Sequence, residues 1–134
     1  MKMQVIYDSN HGRTKLIAQK FMCEVTHVTE SQIWADVVVF ICPTYGDEEL
    51  PHAMEDFLTN IQIESKNYVV CETGNYYGYD DFQFGASRII EGYLNGLGWK
   101  KFYPSFSVDA LPTIDWEPFD IWKRGLENEL CSKN

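Results

Sequence analysis

Three features that are absent or scarce in this sequence limit the functions that it can have. Its 134 residues contain no apolar run long enough to span a bilayer, and its four cysteines form no C-x-x-C pair. Basic residues are few, with 11 Lys and Arg against 20 Asp and Glu, which disfavours nucleic acid and anionic membranes as partners. Cys42 and Cys71 each end an apolar run, so we expect both to be small buried hydrophobes. No signal segment precedes the first strand-like run, and we therefore expect a cytoplasmic protein.

The composition is that of one compact domain spanning residues 1–134. Hydrophobic residues make up 45% of the chain and aromatic residues 15%, which is typical of a folded protein and enough to form a core. The formal net charge of −9 suits steering toward a basic protein partner, although plain solubility would require no more. We expect a monomer.

Short apolar runs alternate with amphipathic segments along the whole chain. Strands are predicted at 3–8, 23–28, 35–42, 67–72 and 101–108, and helices at 12–22, 50–61, 82–97 and 115–130. This alternation predicts an α/β fold with a parallel sheet and helices on both faces. Pro104 indicates that the last strand is at an edge, and the link before the third strand is too short for a full helix.

Unusual residues cluster in the three loops that leave the carboxyl ends of the central strands. These loops are SNHGRT (9–14), PTYGDEEL (43–50) and ETGNYYGYDDF (72–82). In an open α/β sheet the ligand lies beyond these ends, where the strand order reverses. We therefore expect the functional site to be formed by these loops.

The first loop has the composition of a phosphate cradle. Ser9, Gly12 and Thr14 precede a helix, where free N–H groups, a permissive glycine and two hydroxyls bind an anion well. An ordinary helix start has similar residues. His11 and Arg13 either add charge-assisted contacts to a phosphate or point into water.

Aromatic rings distinguish the other two loops. Two rings from opposite loops can hold a flat ligand between them, although one or two of these tyrosines are expected to pack over the sheet edge instead. The rings belong to Tyr45, Tyr76, Tyr77 and Tyr79.

Taken together, the loops resemble those of flavodoxins, the small FMN-binding electron carriers. SNHGRT stands at the phosphate-loop position usually written S/T-x-T-G-x-T, and PTYGDEELP at the P/S-T-W/Y-G-D-x-x-L-x loop. GNYYGYDDF is similar to the G-D-x-x-G-Y-x-x-x-F loop. The resemblance covers the whole chain in the short form of the family. It implies a flavodoxin-like, doubly wound, five-stranded parallel sheet in the order 2-1-3-4-5.

The resemblance also implies a set of FMN-binding residues, with no catalytic and no metal-binding residue. Tyr45 and Tyr79 would cover the two faces of the isoalloxazine, and the Gly46–Asp47 peptide would turn its carbonyl toward flavin N5. The implied set is Ser9, Asn10, His11, Gly12, Arg13, Thr14, Pro43, Thr44, Tyr45, Gly46, Asp47, Glu72, Thr73, Gly74, Asn75, Tyr77, Gly78, Tyr79 and Phe82.

Three positions depart from the family pattern. His11 stands where Thr is usual, Arg13 where an uncharged residue is usual, and Asn75 where Asp is usual. The family normally binds the phosphate without cationic side chains, so a phosphate contact from Arg13 would depart from the family pattern.

The function that the resemblance implies is that of a low-potential carrier, not an enzyme. It would shuttle single electrons through a neutral semiquinone between flavodoxin reductase and acceptor enzymes with basic surfaces. Acidic side chains near the flavin would disfavour the reduced anion and would also form a docking rim. These are Asp47, Glu48, Glu49, Asp80 and Asp81.

Other functions stay open from the sequence alone. The closest alternative is the flavodoxin-like activator of manganese-dependent ribonucleotide reductase, although the TYGDEEL and YGY stretches favour a carrier. Quinone and azo reductases usually have longer chains. A receiver-type signalling domain would need an acceptor Asp at the end of the third strand, where this chain has Cys42 and Pro43. A pure interaction domain would bind no flavin.

Overall fold

The computed structural model describes residues 1–9, 12–44, 50–74, 85–110 and 113–133. Its centre is a parallel sheet whose strands follow the apolar runs of the sequence. The strands are β1 (Met3–Tyr7), β2 (Glu24–His27), β3 (Val37–Pro43), β4 (Asn67–Gly74), β5 (Lys100–Lys101) and β6 (Phe106–Asp109). The helices are α1 (Arg13–Ala18), α2 (His52–Thr59), α3 (Gly85–Gly96) and α4 (Trp116–Ser132).

The strand order is β2-β1-β3-β4-β5, with β6 also paired to β4. This confirms the predicted 2-1-3-4-5 order of the flavodoxin-like fold. A sixth strand is attached to the predicted sheet, because the last strand is interrupted at residues 102–105 and continues as β6. Pro104 lies in that interruption, where its missing N–H breaks no ladder bond.

Helices cover both faces of the sheet, as the strand–helix alternation predicts. On one face, α1 and α4 pack against side chains that include Val5, Val39 and Ile41. On the other face, α2 and α3 pack against Ile6, Phe40 and their neighbours. Because β3 and β4 lie between strands and under helices on both sides, nearly all of their residues are buried, and this explains their continuous apolar runs.

The final helix matches its prediction most closely. Phe119, Trp122, Leu126 and Leu130 all face the core, as their spacing indicates. Asp115 occupies the position before the first helical residue, but its side chain makes no capping hydrogen bond.

Several helix boundaries differ from the prediction, and the largest difference is at the end of α1. Helix α1 ends at Ala18 and not at residue 22, because the chain must turn back to the amino edge before β2 begins at Glu24. Leu97, the last residue of the predicted helix 82–97, lies beyond the last helical residue of α3 and is exposed. Gly98 follows in the left-handed region with φ 85°, as expected for a glycine that ends a helix.

The crossover from β2 to β3 contains one turn of 3-10 helix at Val28–Glu30, which agrees with the expected absence of a full helix. Buried Gln4 holds the end of this crossover. Its Oε1 accepts hydrogen bonds from the N–H groups of Trp34 and Ala35, at 2.8 and 3.0 Å, and its Nε2 donates to the carbonyl of Gln32. None of the helices in the described ranges is both long and apolar enough to cross a membrane.

Candidate functional site

The sheet brings the carboxyl ends of β1, β3 and β4 side by side, and the described parts of the three predicted loops begin there. The described site residues are Ser9, Gly12, Arg13, Thr14, Pro43, Thr44, Glu72, Thr73 and Gly74. The other predicted positions lie outside the described residues: Asn10, His11, Tyr45, Gly46, Asp47, Asn75, Tyr77, Gly78, Tyr79 and Phe82. The same holds for Glu48, Glu49, Tyr76, Asp80 and Asp81.

Four of the predicted loop residues belong to strands. Pro43 is the last residue of β3, and Glu72, Thr73 and Gly74 are the last three of β4. They are paired in register, with Pro43 opposite Thr73. Their positions are therefore set by the sheet, which makes this part of the site rigid.

The turn after β1 is closed by a side chain. Ser9 Oγ accepts a hydrogen bond from the N–H of Gly12 at 3.0 Å. Gly12 has φ 82°, a left-handed conformation that favours glycine, and no atom of the described residues lies within 4 Å of where a Cβ would be. The first turn of α1 therefore begins with a backbone that can approach a ligand closely.

A pair of hydroxyls joins the first loop to the third. Thr14 Oγ1 lies 2.9 Å from Thr73 Oγ1, and both side chains are buried. Either oxygen can be the donor of this bond, and the remaining hydroxyl proton is left for another acceptor. Two neutral hydroxyls thus meet at the junction of β4 and α1.

The second loop is fastened to the third loop and to α3. The N–H of Thr44 donates to the carbonyl of Thr73 at 3.1 Å, and Thr44 Oγ1 accepts a hydrogen bond from the N–H of Ala86 at 3.1 Å. Since the hydroxyl is an acceptor in that bond, its own proton stays available as a donor. Thr44 can therefore hold the helix and bind an acceptor atom at once.

Arg13 reaches across the site to the end of β6. Its Nη1 donates to the carbonyl of Ala110 at 2.5 Å, while the N–H of Ala110 donates to the carbonyl of Gly74 at 2.8 Å. This contact joins residues 97 positions apart in the chain. The guanidinium carries several N–H donors, and its bond to Ala110 holds the positive charge at the site. The Arg13 side chain thereby connects the start of α1 to the end of β6.

Glu72 holds the other side of the site together. It is 1% exposed, and its Oε2 accepts the N–H of Ser87 at 2.8 Å while its Oε1 accepts the hydroxyl of Ser107 at 2.6 Å. Ser87 lies in the first turn of α3, where a carboxylate is favoured by the helix dipole. Glu72 therefore joins β4, β6 and α3, and in this structure it supports the site from beneath.

A row of three polar side chains lies beneath the loops, and of its members only Asp8 was not singled out from the sequence. Asp8, Cys42 and Glu72 follow one another across β1, β3 and β4, one step beyond the Tyr7–Ile41 pair. Burial, and then the negative charges of Asp8 and Glu72, raise the pKa of Cys42 well above its usual value. The thiol is therefore neutral at physiological pH.

Asp8 is a buried carboxylate, and one of its oxygens can accept a further hydrogen bond. Its Oδ1 lies 3.4 Å from His27 Nε2, and its Oδ2 has no hydrogen-bond partner within the described part of the chain. The sequence signal that could have revealed it is a charged residue at the end of an apolar strand, directly before the predicted phosphate loop.

The described donors suit an oxyanion bound at the ends of β1, β3 and β4. Hydroxyls of Ser9, Thr14 and Thr44, the backbone of Gly12 and the Arg13 guanidinium converge on the same edge of the sheet. Such a set matches the three acceptor oxygens of a phosphate monoester.

Several solved structures that are similar to this chain over nearly its whole length are flavodoxins. A flavodoxin from Streptococcus pneumoniae is 24% identical over 98% of this chain and 99% of its own, with a TM-score of 0.78. Flavodoxin 2 from Bacillus cereus is 23% identical over the whole of both chains, with a TM-score of 0.75. A short-chain flavodoxin associated with a PDU bacterial microcompartment is 16% identical over both full lengths, with a TM-score of 0.76.

These likenesses show that the chain has the flavodoxin fold from end to end, as its loops had suggested. Neither a protein-family model nor a curated protein matches it by sequence.

Proposed function

We propose that this protein binds FMN and carries single electrons between redox proteins, with no substrate of its own. The observation that carries the proposal is the convergence of Ser9, Gly12, Arg13, Thr14 and Thr44 at one edge of a flavodoxin fold. That edge is where open α/β sheets bind nucleotides. FMN supplies the redox chemistry, and the protein supplies binding, orientation and electrostatics.

The described residues would hold the phosphate end of the cofactor. Since Ser9 Oγ accepts the N–H of Gly12, Ser9 would donate its own hydroxyl proton to the phosphate, and so would Thr44. Thr14 would do the same with Thr73 as the donor in the bond between them. Arg13 would add positive charge from its position on Ala110. Tyr45 and Tyr79 are proposed to flank the flavin ring, with the Gly46–Asp47 peptide near N5.

Comparing FMN with riboflavin, which has no phosphate, tests the phosphate contacts. In Thr14→Val the hydroxyl is lost, and FMN affinity should fall about tenfold, the effect of roughly one hydrogen bond. Riboflavin affinity should stay within about twofold. The control is Thr59→Val on α2, whose hydroxyl bonds the carbonyl of Asp56 and should leave FMN affinity unchanged. Flavin fluorescence quenching measures both ligands.

Two outcomes of that comparison would count against the proposal. If the purified chain binds neither flavin, it is not an FMN protein. If Thr14→Val weakens riboflavin as much as FMN, the hydroxyl positions the loops and does not bind the phosphate.

The electron-carrying part of the proposal is tested by an absorbance-monitored redox titration of the FMN-loaded protein. Acidic side chains around the flavin should separate two one-electron steps, with the second at a low potential. A single two-electron step would contradict single-electron transfer.

We propose partners with basic surfaces, such as a flavodoxin reductase and acceptor enzymes, because the chain carries a net charge of −9. Glu48→Lys and Asp80→Lys should slow association, most at low salt. Glu64→Lys changes the same charge in the loop before β4, at the amino edge, and should have a smaller effect. Stopped-flow association rates at several salt concentrations compare the loop variants with Glu64→Lys. If all of these variants slow association equally, the docking surface lies elsewhere.

The alternative function, activation of a manganese-dependent ribonucleotide reductase, finds no support among the similar structures, which are all described as flavodoxins. Nearly equal potentials for the two one-electron steps would favour the activator over the carrier. Action in the cytoplasm and a monomeric state stay predictions, and sedimentation of the FMN-loaded protein tests the second.

A further inference from the structure

A groove of about 470 Å³ runs along the outer side of β6. Residues 105–109 line one wall, and Asp115 and Pro118 at the start of α4 line the other. Within the described ranges β6 pairs with β4 alone, so its outer side is the edge of the sheet. An edge strand presents backbone groups that another strand can bind.

The backbone direction along β6 follows from its register. Gly74 pairs with Asp109, and the N–H of Ala110 donates to the carbonyl of Gly74. In a parallel ladder this turns Val108 and Ala110 toward β4. The N–H and carbonyl groups of Ser107 and Asp109 therefore point outward, along the groove.

Only part of this edge is available for pairing. The outward carbonyl of Asp109 accepts the N–H of Asp115 at 2.9 Å, which closes one end of the groove. The backbone of Ser107 has no such bond in the part of the chain that the structure describes. Ser105 adds a buried hydroxyl that also has no hydrogen-bond partner there. The backbone of Ser107 and the hydroxyl of Ser105 thus have no partner among the described residues at the open end of the groove.

The charge of the groove limits what can fill it. Among the residues that the structure describes, its charged wall residues are Asp109 and Asp115, and none of the lining side chains is basic. Asp115 is exposed and forms no capping hydrogen bond with its own helix. A second copy of this chain, with its net charge of −9, would meet this wall with like charge.

We propose that the edge of β6 binds an extended, positively charged segment of a partner protein as an added strand. The segment pairs its backbone with the N–H and carbonyl of Ser107, and a Lys or Arg of the segment lies against Asp115. The segment would contact none of the residues that are proposed to hold the phosphate, although the Ser107 hydroxyl bonds Glu72 and Ala110, next to Asp109, bonds Arg13.

A synthetic peptide tests this site directly. The probe is acetyl-Lys-Val-Lys-Val-Lys-Val-amide, and the readout is the amide spectrum of ¹⁵N-labelled protein, both cofactor-free and FMN-loaded. Saturable binding should shift the Ser107 amide signal and slow its exchange with solvent. A peptide with N-methyl groups at alternate amides cannot pair on one side, and should bind at least about tenfold more weakly.

Variants of the groove wall separate this site from general charge attraction. Asp115→Lys should weaken binding of the probe about fivefold, and the milder Asp115→Asn about twofold. Glu64→Lys makes the same charge change outside the groove and should stay within about twofold.

Four results would overturn the proposal. They are no binding into the millimolar range, equal binding of the N-methylated peptide, shifts that cluster away from β6, and equal weakening in the Glu64→Lys control. Self-association of the protein through β6 in sedimentation, without peptide, would identify a second copy as the occupant and would likewise refute a basic partner segment.

Discussion

Replacing Glu72 by Gln tests how a buried carboxylate supports the site. In the wild type, one oxygen accepts the N–H of Ser87 and the other accepts the hydroxyl of Ser107. A glutamine keeps one acceptor oxygen and replaces the other by an NH₂ donor. The oxygen can stay on Ser87, whose N–H can only donate, while the hydroxyl of Ser107 rotates to accept from the amide.

Glu72→Gln therefore removes the negative charge while both of these hydrogen bonds can still form. Two charge-assisted bonds become neutral ones, which costs about 1 kcal/mol each, and the favourable interaction with the N-terminus of α3 adds about 0.5 kcal/mol. Relief of the desolvation of a buried carboxylate opposes this loss. Because both oxygens of Glu72 are bonded, we expect the loss to prevail, with a net destabilisation of about 1–2 kcal/mol.

Glu72→Ala should cost more, about 4 kcal/mol. It leaves the N–H of Ser87 and the hydroxyl of Ser107 without this acceptor, and it opens a cavity at a position that is 1% exposed. Ser107→Ala removes one of the two donors and allows a double-mutant cycle. The coupling between Glu72 and Ser107 should be about 1 kcal/mol.

Urea unfolding at pH 7 measures these free energies. Tryptophan fluorescence and far-ultraviolet circular dichroism should give coincident transitions, which justifies a two-state treatment. The protein is compared in its cofactor-free form, because FMN binding would add its own stabilisation. If Glu72→Gln is as stable as the wild type or more so, the reasoning is refuted, and desolvation of the charge outweighs its two bonds.

Three further predictions concern positions away from the loops. Gln4→Leu removes the partners of two N–H groups and one carbonyl, and should lower the free energy of unfolding by about 3 kcal/mol; a loss under about 1 kcal/mol would mean that the crossover does not need these bonds. In Gly125→Ala the new methyl would overlap the hydroxyl of Tyr103, and this clash should outweigh the gain of about 1 kcal/mol in helix propensity. In a Tyr103→Phe background, which lacks the hydroxyl, the same substitution should be neutral or stabilising. Equal effects on the free energy of unfolding in both backgrounds would exclude the clash. Burial, and then Glu24 and Glu127, raise the pKa of Cys23 to about 11 from 9.0. The rate of its alkylation should therefore be low at pH 8 and should rise about tenfold per pH unit toward pH 11. Mass spectra should show Cys23 labelled much more slowly than the exposed Cys131. Because the thiol of the unfolded chain ionises at the lower pKa, Cys23 should also lower the free energy of unfolding as the pH rises above 9.0. A labelling rate that does not depend on pH would contradict the raised pKa.

The parts of the fold that could be predicted depend on local pattern. The runs that became β3 and β4 are apolar because both faces of those strands are covered, and α4 shows its buried face in its spacing. Helix α1 was predicted too long because Phe21 continues the apolar spacing and is buried, although the helix ends at Ala18. Periodicity reports burial, and a buried residue in a turn gives the same signal as one in a helix.

The site was harder to predict because its contacts are not local. The bond from Arg13 to Ala110 spans 97 positions and that from Glu72 to Ser107 spans 35. Such pairs depend on which side chains meet across elements that are distant in the sequence, and the local pattern of residues does not show this even where the strand order is predicted. The loops could be identified as a site from their composition, while the contacts that hold them at a fixed spacing could not.

Thr73 shows why that spacing matters for the proposed function. Its hydroxyl meets Thr14 at the start of α1, and its carbonyl accepts the N–H of Thr44 in the second loop. One residue at the end of β4 thus sets the distance between two loops that would both contact the same phosphate. Because Thr73 is buried and paired within the sheet, this distance is fixed before any ligand arrives. The ordering cost of binding is then small for these contacts, which is the physical reason to expect FMN to be held tightly at this edge.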